Sequence, residues 1–217
     1  MGHPAYEGVT EKVKGRPVWT GRLHLNQAAL EIPLHWRKPR KIFVNSMSDL
    51  FQDGVPKTFI RRVWRVMEET PRHIYQILTK RPENMVRTLG DAGFPVLPNV
   101  WLGTSVESKR YVSRIDILRR VPACIRFVSF EPLVGAVGDV DLSEVHWAIV
   151  GGESGPRARP MNEAWVEQIH AQCRAYGAAF FFKQWGGVNK KAAGRRFRRR
   201  IWNEYPESNY IADVAAS

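Results

Sequence analysis

Three glutamates follow directly on runs of β-branched and aromatic residues: Glu107 after VWLGTSV, Glu131 after IRFVSF, and Glu153 after HWAIVGG. Carboxylates brought together could bind a divalent metal, hold a ribose or an amine, or act as acid and base. Lys80, Arg81, Arg159 and Lys183 occupy the same kind of position. They could neutralise anionic groups of a ligand, or pair with the glutamates into a compensated polar mouth that has no catalysis. Asn45, Ser46 and Ser129 add amide and hydroxyl groups at the ends of other apolar runs. The sharpest local feature is GGESGPRAR over 151–159. Gly151, Gly152 and Gly155 let the backbone turn with its N–H groups exposed, Ser154 adds a hydroxyl, and Arg157 and Arg159 add fixed positive charge. A helix following this loop would bring its positive N-terminus close, which makes a site for a phosphate or a carboxylate. The plainer alternative is a tight βα turn that needs positive φ. The loop is neither a Walker A sequence nor a GxGxxG fingerprint.

These positions assign catalytic roles to Glu107, Glu131, Glu153, Lys80 and Lys183. Cofactor binding falls to Asn45, Ser46, Ser129, Gly151, Gly152, Ser154 and Gly155. Substrate or phosphate contacts fall to Arg81, Arg157, Arg159, Gln184 and Trp185. Trp36 and Trp185 flank polar or basic stretches and could stack on a base. The six histidines are scattered, and His73 and His146 open strands at the end away from these groups, where structural roles are expected. No Cys/His cluster has metal-ligand spacing, and no Ser-His-Asp arrangement can be assigned. The only two cysteines, Cys124 and Cys173, are expected to be buried free thiols in a reducing cytoplasm.

The elements that must position these groups alternate. Apolar runs over 41–46 (KIFVNS), 73–80 (HIYQILTK), 100–107 (VWLGTSVE), 125–131 (IRFVSFE), 146–151 (HWAIVG) and 179–185 (AFFFKQW) read as strands covered on both faces, as in a parallel sheet. Helical periodicity fills 56–69, 82–89, 108–120 and 163–176, with Asn162 as N-cap and Gly177 as the stop of the last. The link over 132–145 reads as a loop or short turn. Repeated βα units leave an open doubly wound sheet or a full or partial (βα) barrel, and in both the chemistry lies beyond the C-terminal strand ends.

Composition sets the outer limits. The 217 residues are 44% hydrophobic and 25% charged, an ordinary globular balance. No apolar run approaches the ~18–20 residues of a membrane span, and 1–20 has no signal-peptide core, so a cytoplasmic protein without membrane contact is expected. The net charge is +12, and leaving out Lys190, Lys191, Arg195, Arg196, Arg198, Arg199 and Arg200 lowers it to +5. Those seven residues suit a polyanion such as nucleic acid, or a solvated basic tail with no partner.

In this order, KIFVNSMSDLF (41–51), QILTKRPE (76–83), NVWLGTSVE (99–107), RFVSFEPLVG (126–135), WAIVGGESGPRARPM (147–161) and FFKQWGG (181–187) resemble the phage Gp37/Gp68-like family (domain of unknown function 5131), over roughly 17–205. The resemblance implies an α/β fold of radical SAM-like type: a TIM-barrel-like partial (βα) barrel of about six parallel strands. It also implies a CxxxCxxC loop ahead of the segment that begins here, which would hold a [4Fe–4S] cluster and S-adenosylmethionine. Cys124 and Cys173 do not replace that loop. The chain is therefore expected to be a truncated product or one with a misassigned start, a degenerate member that kept the fold, or one partner of an upstream polypeptide that carries the cysteines. A first strand would also be missing, and the alternation over 17–25 (PVWTGRLHL) is expected to cover the open edge. The basic run over 195–200 departs from the pattern expected of relatives.

The expected organisation is an N-terminal extension over 1–40 packing on the barrel, a barrel core over 41–187, and a basic tail over 188–217. Three functions follow in order. The first is an enzyme, or a cluster-less remnant of one, acting on a phosphate-containing or nucleic-acid substrate. The second is a phage protein that binds nucleic acid through 190–200 and the Arg61, Arg62 and Arg65 face. The third is a carboxylate–metal hydrolase.

Overall fold

A computed structural model describes residues 10–13, 16–45, 48–91, 93–189 and 193–207. Ser46, Lys190 and Lys191, assigned above to cofactor and nucleic acid, lie outside the described residues. Six strands form one sheet in strictly sequential order: β3 (Lys41–Val44), β4 (Ile74–Thr79), β5 (Val100–Ser105), β6 (Ile125–Phe130), β7 (Trp147–Gly151) and β8 (Ala179–Gln184). Every neighbouring pair is parallel. A doubly wound sheet reverses its strand order at a switch point. This one never reverses, and it curls into a half-barrel of α/β type. All six expected strands are present.

Helices α2 (Lys57–Glu69), α3 (Pro82–Leu89), α4 (Ser113–Arg119) and α5 (Glu163–Tyr176) connect or flank these strands. Strand side chains that alternate outward, such as Tyr75, Ile77, Leu102, Val128, Val150 and Phe180, join the helix faces in one large core. In α5 the Asn162 side chain accepts a hydrogen bond from the Ala164 N–H at 2.9 Å, and Gly177 ends the helix at φ +71°. Both caps match the sequence reading, because the cap chemistry is local. The helix expected over 108–120 is split. Residues 109–111 wind as a tight 3-10 turn before α4, and the Lys109 amide donates to Ala136 O across the link at 2.9 Å.

Helix α1 (Gln27–His35) carries Pro33 inside it and escaped the periodicity. Arg72 and His73 bond its C-terminal carbonyls, with Arg72 Nε donating to Trp36 O at 2.8 Å and His73 Nε2 lying 3.1 Å from Pro33 O. The expectation that 17–25 covers the open edge is corrected in part: Leu23, His24 and Leu25 line one cavity together with Ile42, Phe43 and Val44 of β3, but among the described residues they add no strand to the sheet. Strand β2 (Arg16–Trp19) pairs only with β1 (Thr10–Val13), in a separate antiparallel ribbon. A second correction concerns Cys124, which is exposed. Cys173 is buried, and burial pushes its thiol up to about 12.

The inward side chains make a second, aromatic layer on the concave face: Trp101, Phe127, Trp147 and Phe181, with ring centroids 5.6–5.8 Å apart from Trp147 to each of the others. Gly103 makes this possible, since a Cβ there would lie 2.6 Å from the Phe127 ring. The sequence reading began a basic tail at 188. Its described C-terminal part, 193–207, lies along β8. Phe182 N donates to Trp202 O and Glu204 N to Phe180 O, so the β8 edge is paired. Phe197 is 0% exposed and Trp202 7%, packed around His170 and Phe180. Tyr205 then crosses beneath the concave face, with its ring 5.2 Å from Trp147 and Lys41 Nζ of β3 lying 4.0 Å from the Tyr205 centroid. One short segment thus reaches from one edge strand to the other and closes the bottom of the half-barrel.

Two measurements test this packing. Phe197→Ala should cost about 3–5 kcal/mol in chemical denaturation, as loss of a buried aromatic does; an unchanged midpoint would show that the segment is not part of the core. The second concerns His73, His146 and His170, whose pKa values burial lowers. The Nδ1 of His146 accepts from the Arg126 N–H at 3.1 Å, which requires the neutral ring. A lowered folded pKa stabilises above the unfolded value near ~6.5 and loses that contribution as the unfolded chain takes up protons below it. Stability should therefore fall between about pH 7 and pH 5, and His170→Phe should flatten the slope; a flat profile in the parent protein would refute the assignment.

Candidate functional site

Strand register determines which groups meet at the C-terminal rim. Ser105 of β5 is level with Ser129 of β6, and Ser129 with Ile149 of β7. Two residues further on, with the same inward parity, come Glu107, Glu131 and Gly151. The concave face therefore ascends from aromatic rings through the Ser105 and Ser129 hydroxyls to a carboxylate rim. Both serines are 2% exposed, and among the described residues neither side chain bonds another protein group. Gln76 of β4 faces the same hollow at a lower level, and Phe43 of β3, 43% exposed, lines it from the edge.

Glu107 is 7% exposed and held from two sides, by Lys80 Nζ at 2.5 Å and Arg114 Nη1 at 3.1 Å. Arg114 also donates to Ser105 O at 2.8 Å, which ties α4 to the end of β5. Glu131 takes Lys183 Nζ at 2.9 Å across the width of β7. Gly151 leaves room for this, because a Cβ there would lie 3.1 Å from Glu131 Oε1. Glu153 receives a two-pronged bond from Arg159, Nε and Nη2 each at 2.8 Å, together with the Arg159 N–H at 2.9 Å. That arrangement holds its carboxyl down to about 2. From Lys80 on β4 to Lys183 on β8 the concave rim thus reads cation, carboxylate, carboxylate, cation.

A fourth carboxylate, Asp49, was not assigned a role from sequence. It accepts from Thr79 Oγ1 at 2.7 Å, the Phe51 N–H at 3.0 Å, the Lys80 N–H at 3.1 Å and Arg81 Nη1 at 3.1 Å. It therefore fastens the β3–α2 loop to the end of β4. Its signal in the sequence was its place at the end of NSMSD, just ahead of Leu50 and Phe51, which are both 2% exposed. Arg114 was missed as well, because only the fold brings α4 back over Glu107. Asn45 stands at the end of β3 with φ +58°.

The glycine loop is closed. Gly152 N donates to Gln184 O at 3.0 Å, Gly155 N to Gly187 O at 3.2 Å, and Gly187 N to Glu153 O at 2.7 Å. Gln184 Nε2 donates to Ser154 Oγ at 2.8 Å. These amides knit the β7 loop to the β8 loop, so the expected cradle of free N–H groups is corrected. A Cβ on Gly152 would stand 1.9 Å from Trp185 O, which explains that glycine by close approach. Trp185 is half-buried, gives its Nε1 proton to Arg196 O at 2.8 Å, and packs 4.8 Å from Phe182. Arg157 is exposed beside the loop.

Five cations thus answer four carboxylates around the rim. Arg195 adds a further charge. Its guanidinium lies 5.3 Å from the centroid of Phe181 on the concave side and bonds Asn203, while its Nε is buried with no acceptor. Among the described residues no carboxylate pairs with it. None of these residues forms a group of three or more His, Cys, Asp or Glu able to hold a metal ion. The implied iron–sulfur cluster does not fit this chain's own residues either. Cys173 sits inside α5 with its thiol held protonated, Cys124 precedes β6 at the far end from the rim, and the sequence contains no third thiol.

Glu107→Gln would leave Arg114 partly buried without its counter-charge. It should cost about 2–3 kcal/mol, between the small value of exposed pairs and the larger one of buried pairs, with circular dichroism in urea as the readout. A change no larger than that of Glu83→Gln would show that the triad carries no stability.

No helix among the described residues is long and apolar enough to cross a membrane. No curated protein and no solved structure matches the chain. One family does match, over residues 4–206. By that span, which takes in every strand of the half-barrel and the segment that closes it, the chain belongs to the family described as protein of unknown function (DUF5131).

Proposed function

We propose that the concave mouth binds a phosphate-bearing substrate of the nucleotide class, at the position where (βα) barrels place their chemistry. The observation that carries this reading is the surplus of cations. Each rim carboxylate is already answered by a lysine or an arginine, and Arg195 stands over Phe181 with no carboxylate of its own among the described residues. An anionic group is the missing partner. The Phe43 and Phe181 rings offer apolar faces for a base, and Ser105, Ser129 and Gln76 offer uncommitted polar groups for a sugar or base edge. The saturation of the carboxylates argues against the metal hydrolase.

On this reading Lys183 and Arg195 take the phosphate, Lys80 and Glu107 form the opposite wall, and Glu131 keeps the Lys183 ammonium aimed inward. The chain is then the substrate-holding part of a phage Gp37/Gp68-like protein on a radical SAM-like scaffold. On the same reading, the thiolates that would hold a cluster and S-adenosylmethionine come from outside residues 1–217.

Titration with adenosine 5′-monophosphate, followed by amide chemical shifts, tests the site. Shifts should concentrate at Lys80, Ser105, Ser129 and Lys183. Arg195→Gln and Lys183→Gln should each weaken binding at least about tenfold, the loss of a charge-assisted hydrogen bond. Arg119→Gln, at the opposite end of the barrel, should change nothing. Shifts spread without focus, or wild-type affinity in both rim variants, would overturn the proposal.

A further inference from the structure

The arginine run over 195–200 is folded, and its turn is strained. Phe197 and Arg200 exchange both backbone hydrogen bonds, at 3.0 and 3.1 Å, around a two-residue turn. The central residues Arg198 and Arg199 lie at φ +49° and +63°. Positive φ at both positions is the type I′ geometry, which selects Asn-Gly. Two arginines there oppose the backbone preference of L-residues, and strain of this kind persists where the surrounding structure enforces it. Phe197 provides that enforcement: its ring is fully buried and its carbonyl accepts the Trp202 indole N–H at 2.9 Å.

The arginines are held in place with little neutralisation. Arg200 lies 3.8 Å from the centroid of Trp202, and Arg196 Nη1 bonds Arg199 O at 3.2 Å. Among the described residues, only Arg198 of these reaches a carboxylate, Glu167. Arg196, Arg198, Arg199 and Arg200 are all exposed. Of the neighbouring aromatic side chains, Phe197 and Trp202 are buried, and the half-buried Trp185 is tied to Arg196 O and packs on Phe182, so their faces are largely taken up by packing.

We infer that this arginine hairpin is a preformed docking element for the phosphate backbone of a nucleic acid, read without regard to sequence. Exposed guanidinium groups on a fixed backbone turn suit phosphate oxygens, and the burial of Phe197 and Trp202 leaves little ring surface on which an unpaired base could stack. The hairpin contacts a different part of the molecule from the concave mouth, so this inference stands independently of the nucleotide reading.

The probe is a fluorescein-labelled 20-base-pair DNA duplex of arbitrary sequence, with anisotropy read at several salt concentrations. The full chain should bind at about 50 mM salt and release steeply as salt rises. The Arg196→Gln/Arg199→Gly double variant should bind at least tenfold more weakly, and its salt slope should fall by about two, one counterion for each phosphate lost. Arg199→Gly alone should weaken binding while its thermal midpoint stays level or rises, because glycine relieves the turn. Arg199→Lys should retain binding. Absence of binding by the parent chain, an unchanged salt slope in the double variant, or displacement of the duplex by polyglutamate as readily as by unlabelled DNA would each overturn the inference. Adenosine 5′-monophosphate titrations of Arg199→Gly should match the parent, which separates failure here from failure at the mouth.

Discussion

Parity along the parallel strands is the constraint on which the rim depends. Side chains alternate between the helix layer and the concave face, so a slip of one residue in any strand would turn its terminal carboxylate away from the mouth. The aromatic layer fixes that register. Trp101, Phe127, Trp147 and Phe181 pack on one another on the concave side, and their rings meet at edge-to-face or tilted angles across β5 to β8. Gly103 is the concession that allows it, a residue without a side chain where the Phe127 ring must lie. Once the floor is set, Glu107 and Glu131 can only rise side by side at the top.

That placement has an electrostatic consequence. Two adjacent carboxylates at one level repel each other, and each is drawn to its own flank: Glu107 towards Lys80 and Arg114, Glu131 towards Lys183. Gly151 keeps the path to Lys183 clear. The mouth is thereby flanked by two ammonium groups held at fixed positions. The Glu153–Arg159 fork sits outside this row and works differently. It braces the β7 loop against itself, and that loop spends its amides on the β8 loop.

The six strands, four of the five helices and the rim were legible in the sequence, because apolar runs of strand length separated by helical periodicity carry that information locally. Helix α1 was not, since Pro33 masks it and its support comes from Arg72 and His73 some forty positions away. The glycine loop misled because GGESGPRAR reads the same whether its amides face solvent or a neighbouring loop; only the β7–β8 contact decides. Asp49 and Arg114 act through partners that the fold brings to them, from 30 and 7 residues away respectively. The part of the sequence that looked most like a solvated tail, 195–205, holds Phe197, Trp202 and Tyr205 at spacings that match neither a helix nor a strand, so no periodicity announced that it was core.

This last segment shows how a fold can retain positive charge without cancelling it. An arginine anchored by a carboxylate is fixed but neutral to its surroundings, whereas one anchored by a ring or a carbonyl is fixed and still cationic. Arg195 rests against Phe181, Arg200 against Trp202, and Arg196 on a backbone oxygen. The segment that pairs the last edge and closes the bottom of the half-barrel therefore also carries its densest charge. Burial of Phe197 and Trp202 stabilises the arrangement against the repulsion among five guanidinium groups. The buried rings of Phe197 and Trp202 and the exposed arginines are interspersed in one short segment, so the packing of the rings sets where the charge stands.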